Sequence, residues 1–186
     1  MLPVWIHQID IGILMFIQEY LRVDALNGFF RAVTFLGNSG WFWVVTSLVL
    51  LAFPKTRKAG IAAFGAMALG ALFTNLLIKP WVARVRPYDA HPEILFLIPP
   101  QVDFSFPSGH TCAAFAAALM YRRMLPKPWG MISVALAALI AFSRLYVGVH
   151  YPTDVLGGFL IAWASARLIW HMGKAYFTSP CPREPS

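Results

Sequence analysis

The chain is 186 residues long, 59% hydrophobic and 12% charged, with mean hydropathy +0.63 and a net charge of +7. Soluble domains carry about 25% charged residues, so this is a membrane-protein composition, and the length suits one domain. The basic residues fall in short loops between apolar stretches and form no single polar stripe, which argues against a nucleic-acid partner.

Residues 1–37 predict two amphipathic helices lying at the membrane surface. Val4–Leu21 contains His7, Gln8, Asp10, Gln18 and Glu19, and Asp24–Leu36 contains Asn27 and Arg31. A single tilted crossing by the first stretch is the alternative. The N-terminus has neither a basic leader nor a small-residue cleavage site, so no cleavable signal peptide is expected. Residues 38–174 then read as a transmembrane core. Five apolar segments follow: Gly40–Phe53, Ala59–Ile78, Gly109–Tyr121, Trp129–Val149 and Pro152–His171. The expected fold is therefore all-α, a polytopic bundle of about five spans. Gly and Ala recur in the second and fourth, where small side chains let helix backbones approach in lipid. Residues 175–186, which include Cys181, read as a flexible cytoplasmic tail. Cys112 lies in an Ala-rich run as packing filler, and two cysteines make neither a disulfide framework nor a metal site.

Charge sets the orientation. Lys55, Arg57 and Lys58, then Arg122, Arg123 and Lys127, then Arg167 and Lys174, mark one face, which the positive-inside rule makes cytoplasmic. Counting spans puts Lys79–Pro87, Pro107–His110 and Ser143–Asp154 together on the external face. An ionised side chain at the bilayer centre costs about 2.5–3.5 kcal/mol, so Lys79, Arg86, Arg144 and Asp154 facing lipid would cost on the order of 10 kcal/mol. Taken singly, Lys79 or Arg84 reads as an interfacial cation that snorkels to water. Taken as a set, these residues need a shared polar cavity.

Each motif has a chemical reading. Lys79 and Arg86 bracket a turn forced by Pro80 and Pro87, one supplying a point charge and the other a planar fork for phosphate oxygens. Pro107-Ser108-Gly109 opens a helix, with Ser108 as N-cap and Gly109 permitting close approach of an anion to the backbone. His110 follows in the first turn. His150 and Asp154 are four apart across Pro152, a residue suited to a helix start, so the carboxylate can reach back to one ring nitrogen. The other nitrogen is then free as nucleophile or base. No cluster has metal-ligand spacing, and no cofactor is expected.

These residues resemble the signature of the type 2 phosphatidic acid phosphatase family, which includes bacterial undecaprenyl-diphosphatases and phosphatidylglycerophosphatases. Its three parts are K-x6-R-P, P-S-G-H and S-R-x5-H-x3-D. They are matched here by Lys79, Arg86 and Pro87, by Pro107 to His110, and by Ser143, Arg144, His150 and Asp154. The resemblance covers residues 40–172; larger relatives carry a further N-terminal span where this chain has its two amphipathic stretches. It implies that His150 attacks phosphorus to form a phosphohistidine and that Asp154 orients it. His110 would protonate the leaving oxygen and then activate water. Lys79, Arg86, Ser108, Gly109 and Arg144 would hold the phosphoryl oxygens, without a metal.

The resemblance implies a hydrolase of the bacterial inner (cytoplasmic) membrane, acting on a lipid phosphate from the periplasmic or external side. Undecaprenyl diphosphate, cleaved to undecaprenyl phosphate, is the first choice of substrate; phosphatidylglycerophosphate and phosphatidic acid are alternatives. Residues 88–106 are expected to cover the pocket and select the headgroup. Vanadium haloperoxidases share the constellation but are soluble, against the apolar spans here. A transporter or scaffold that binds lipid phosphate without cleaving it would not need both histidines and Asp154. The oligomeric state is left open by the sequence.

Overall fold

A computed structural model of the protein describes residues 3–179, and among these every regular element is helical. The order is α1 (Val4–Phe16), a π-helical turn (Ile17–Leu21), α2 (Asp24–Leu36), a 3₁₀ turn (Asn38–Gly40), α3 (Trp41–Ala52) and α4 (Arg57–Ala71). A second π-helical turn (Leu72–Ile78) leads into the short α5 (Lys79–Val82) and α6 (Pro87–Ala90). The chain finishes with α7 (Gly109–Met124), α8 (Lys127–Tyr146) and α9 (Pro152–Thr178).

Small residues decide which helices touch. α7 is central and packs against α4, α8 and α9. Its Ala114, Ala116, Ala117 and Ala118 are buried, as are Ala62, Ala63 and Ala66 of α4. The helices approach so closely that a Cβ on Gly70 would lie 2.7 Å from Cys112 Sγ. Lipid offers no hydrophobic drive between helices, so this close contact is what holds the bundle. Leu48, Val49, Leu76, Leu77, Leu160 and Trp163 project outward and exposed, as side chains facing hydrocarbon do.

Among the described residues, three helical stretches are long and apolar enough to cross a bilayer: Arg57–Ala90, Lys127–Tyr146 and Pro152–Thr178. A fourth arises if Asp24–Leu36 and Asn38–Ala52, bent by 48° to one another, are taken as one broken span. Length and hydropathy thus license three or four crossings, where the sequence suggested five. The difference lies in α3 and α7, which at 12 and 16 residues fall short of a full span by themselves. The bend follows from left-handed backbone at Ser39 and Gly40, φ 50° and 66°. It lays α2 along the last turns of α8, where Phe30 stacks on Tyr146 with centroids 3.9 Å apart.

The two ends of the bundle differ in charge. Lys58 donates to the Ser179 carbonyl at 2.5 Å, and the Arg123 guanidinium lies 3.8 Å from the Trp170 ring centroid. The basic loops therefore gather at one end, and the signature residues gather at the other. α9 runs through Thr178; residues 180–186 of the expected tail, with Cys181, lie outside the described residues.

Candidate active site

The first wall comes from α5 and the loop behind it. Pro80 sits in the opening turn of α5, and Pro87 starts α6. The reversal between Lys79 and Arg86 falls on neither proline: it is at Ala83, left-handed with φ 47°. Both cations are buried, and both pair with the same carboxylate. Asp103 accepts from Lys79 Nζ through Oδ2 and from Arg86 Nη2 through Oδ1, the latter at 2.5 Å. Arg86 also donates through Nη1 to the Val149 carbonyl at 2.7 Å and through Nε to the Asp103 carbonyl at 2.9 Å. Burial alone would raise the Asp103 carboxyl, but hydrogen bonds and charge from Lys79 and Arg86 outweigh it and hold the group below the usual carboxylate range.

The second wall is the start of α7. Ser108 caps the helix, its Oγ accepting from the Thr111 amide at 3.4 Å and from the Thr111 hydroxyl at 3.0 Å. A Cβ on Gly109 would lie 4.0 Å from Lys79 Nζ, so the ammonium stands over this glycine. His110 Nε2 lies 2.9 Å from Asn38 Oδ1 in the 3₁₀ turn. With the hydrogen on Nε2, Asn38 accepts it and Nδ1 is left to exchange a proton. The turn is seated on α9: the Ser108 amide donates to the Asp154 carbonyl at 3.0 Å, and a Cβ on Gly158 would meet the Ser108 carbonyl oxygen at 2.4 Å.

The third wall joins α8 to α9. His150 Nδ1 lies 3.3 Å from Asp154 Oδ2, one helical turn on, as the spacing predicted. Its Nε2 lies 3.5 Å from Arg86 Nη1. Asp154 is held on every side: Oδ2 also accepts from the Tyr151 amide at 2.9 Å and from Ser105 Oγ, and Oδ1 accepts from Arg84 Nη1 at 2.7 Å. The carboxylate therefore fixes the ring. Burial pushes His150 down to about 4; the Asp154 hydrogen bond opposes this, and the cationic Arg144 adds to it, so the imidazole is neutral at physiological pH.

Arg144 is fully buried. Its Nη1 donates to Thr34 Oγ1 at 2.6 Å, while Nε and Nη2 have no hydrogen-bond partner among the described residues. A buried guanidinium with two unused donors has capacity for an anion. The charges of Arg144, Lys79 and Arg86, and the His150 ring, all act on His110. A cavity of about 870 Å³ opens beside them, with Lys79, Asp103, Gly109 and His110 in its wall. Arg86, Ser108, Arg144 and His150 do not reach that wall; they lie buried.

Several participants escaped the sequence reading. Arg84, read singly as a snorkelling cation, is turned inward. It pairs with Asp10 at 2.6 Å and Asp154 at 2.7 Å, and its guanidinium lies 3.8 Å from the Tyr151 ring centroid. Asp10 is no part of a solvated face; it is fully buried and also accepts from the Thr153 amide at 3.0 Å. Asp103 lies in the 88–106 segment expected to cover the pocket, and its ion pairs with Lys79 and Arg86 have no signal in the sequence. Thr34, Asn38 and Ser105 carry no sequence signal. Ser143 stays out of the site, its hydroxyl donating to the Ile140 carbonyl of its own helix at 2.6 Å.

Comparison with known proteins adds to this geometry. The chain is 32% identical over 150 residues to an undecaprenyl-diphosphatase of Sulfolobus acidocaldarius, covering 79% of this chain and 71% of that protein. The fold is similar to the crystal structure of a transmembrane PAP2-type phosphatidylglycerolphosphate phosphatase from Bacillus subtilis. That similarity has TM-score 0.75 and 27% identity, covering 93% of this chain and 88% of that one. It is also similar to LpxE of Aquifex aeolicus, with TM-score 0.79 and 26% identity, covering 88% and 95%. Residues 59–177, which hold all three walls, match the model of the PAP2 superfamily, and with that match the chain belongs to this superfamily of membrane phosphatases.

Proposed function

We propose that this member hydrolyses a lipid diphosphate, with undecaprenyl diphosphate converted to undecaprenyl phosphate as the reaction that fits best. The observation that carries the catalytic part is His150. One ring nitrogen faces a pinned carboxylate, the other faces the Arg86 guanidinium, and the ring is neutral. That is a prepared nucleophile beside a cationic wall.

In this reading Nε2 of His150 forms a bond to phosphorus while the bond from phosphorus to the leaving oxygen breaks. The electron pair goes to that oxygen, and His110, entering the step as the imidazolium that the bound phosphate anion favours, gives it the Nδ1 proton and becomes the neutral base for the second step. Water, deprotonated by His110, then attacks the phosphohistidine and releases inorganic phosphate. Asp154 stabilises the imidazolium character that develops on His150. Lys79, Arg86, Arg144, Ser108 and the Gly109 amide hold the phosphoryl oxygens, which is most of what phosphoryl transfer requires. The donor set is cationic and repels a metal ion, which supports a metal-independent reaction. The site would face the external side, opposite the basic loops.

Similarity to the Sulfolobus undecaprenyl-diphosphatase supports the diphosphate substrate. Fold similarity to the Bacillus phosphatidylglycerolphosphate phosphatase supports phosphatidylglycerophosphate as the second reading. The test is phosphate release by the purified full chain, with and without EDTA, from a polyprenyl diphosphate, phosphatidylglycerophosphate and phosphatidic acid. Substrate labelled in the transferable phosphoryl should leave an acid-labile, base-stable label on the protein, absent from His150→Ala. No release from any of the three would end this reading, and strict metal dependence would end the proposed chemistry.

A further inference from the structure

We infer that Arg31 builds a second anion subsite beside the phosphoryl pocket, and that it takes the inner phosphate of a lipid diphosphate. The inference rests on the lipid-phosphatase reading above and narrows its substrate class. Three residues of α2 and the following turn, Arg31, Thr34 and Asn38, stand at i, i+3 and i+7 and all line the cavity of about 870 Å³. Two of the three touch the phosphoryl machinery. Thr34 accepts from Arg144 at 2.6 Å, and Asn38 lies 2.9 Å from His110. Arg31 is the next rung outward and makes no hydrogen bond or ion pair among the described residues.

Its position along the path of a lipid is specific. Arg31 lines the main cavity and also a second cavity of about 490 Å³, whose other lining residues are Phe96, Leu97, Ile98 and Pro99. It therefore stands where the cavity that holds Lys79 and His110 meets a groove lined, besides Arg31, by apolar side chains. Read from the inside outward, the order is the phosphoryl-binding cations, then one free guanidinium, then apolar side chains. A lipid diphosphate has the same order: terminal phosphoryl, inner phosphate, hydrocarbon. Among the described residues, Lys79 and Arg31 are the Lys and Arg side chains that line the main cavity.

The chemistry gives this cation a task. When the terminal phosphorus–oxygen bond of a diphosphate breaks, the electron pair stays on the inner phosphate, and the leaving group gains negative charge. A guanidinium beside that phosphate stabilises the transition state as well as the bound substrate. A lipid monophosphate leaves as an alcohol and presents no second phosphate to Arg31. The side chain thus selects diphosphates by chemistry, independently of the identity of the lipid.

The test uses the full chain in detergent with a matched pair, farnesyl diphosphate and farnesyl phosphate, which share a hydrocarbon tail. Arg31→Ala should lower kcat/KM on the diphosphate roughly 10- to 100-fold, the range for losing a charged hydrogen bond. Its loss on the monophosphate should be at least about tenfold smaller. Arg31→Lys should recover part of the difference, because it restores the charge without the fork. Equal losses on both substrates, or none on either, overturn the subsite. So does a wild-type protein that cleaves the monophosphate and spares the diphosphate, although the phosphatase reading then survives. If neither is cleaved, that reading falls, and binding decides the subsite. Wild-type protein should then bind inorganic pyrophosphate more tightly than inorganic phosphate, and Arg31→Ala should erase that preference; failure of either overturns it.

Discussion

Arg84 holds its guanidinium 2.6 Å from the buried carboxylate of Asp10. The same guanidinium donates to Asp154 at 2.7 Å, so a residue in the first helix is linked through one side chain to the carboxylate that orients His150. Without Asp10, Arg84 keeps its pair with Asp154, but the buried guanidinium and the Thr153 amide each lose an acceptor, at a cost of about 1–3 kcal/mol. Asp10→Ala is therefore expected to lower the thermal unfolding temperature in detergent. Arg84→Lys keeps the charge but cannot reach both carboxylates in one plane, and a shift of the proposed catalytic pair, His150 and Asp154, by about 1 Å can cost about a hundredfold in rate. A drop in kcat with KM nearly constant is the expected signature. An Arg84→Lys enzyme with wild-type kcat would remove Arg84 from the positioning of His150.

Asp103 carries the second prediction. Its carboxylate pairs with Lys79 and Arg86, two cations proposed to hold phosphate, so carboxylate and phosphate compete for the same donors. Asp103 is half-exposed, which weakens the pairing by solvent screening. Replacing it with Ala should tighten inhibition by inorganic phosphate about fivefold, as expected for losing roughly 1 kcal/mol of competition. The pairing persists across neutral pH, because the carboxyl is held low and protonates only as pH falls through that lowered value. Unchanged or weaker inhibition would show that the two anions do not compete.

The pH profile gives the third. A free imidazole titrates near 6.5, while burial holds His150 at about 4. The acid limb of kcat/KM, which reports the free enzyme, should therefore lie near pH 4 and not near 6.5 where His150 governs it. Stability moves in the same direction. Between the two values the unfolded chain binds the extra proton and the folded chain does not, so stability is full above 6.5 and falls as pH drops toward 4. His150→Gln should flatten that part of the stability curve. An unfolding midpoint in wild type that ignores pH between 6.5 and 4 would contradict this account of burial.

The fourth concerns backbone contact. A methyl group at Gly158 would sit 2.4 Å from the Ser108 carbonyl oxygen, and the Ser108 amide is already tied to the Asp154 carbonyl at 3.0 Å. Gly158→Ala should push the turn before α7 away from α9, at a cost of about 1–3 kcal/mol from overpacking. Because that turn bears Ser108, Gly109 and His110, activity should fall more steeply than stability. Retention of both would mean that the turn can shift freely.

Local chemistry made part of this protein legible in its sequence. Hydropathy marked the apolar helices, because each must satisfy its own backbone and show apolar side chains to lipid. The helix start at Ser108 and the reach of Asp154 back to His150 followed from short-range geometry, since capping and an i, i+4 pairing act within one turn. Other decisions needed the folded chain. Arg84 meets Asp10 across 74 residues, Arg144 meets Thr34 across 110, and His110 meets Asn38 across 72. No local pattern distinguishes an arginine that snorkels to water from one that turns inward to a buried carboxylate. The choice depends on which helices pack together, and here that packing is set by the small side chains of α4 and α7 and by the bend at Ser39 and Gly40.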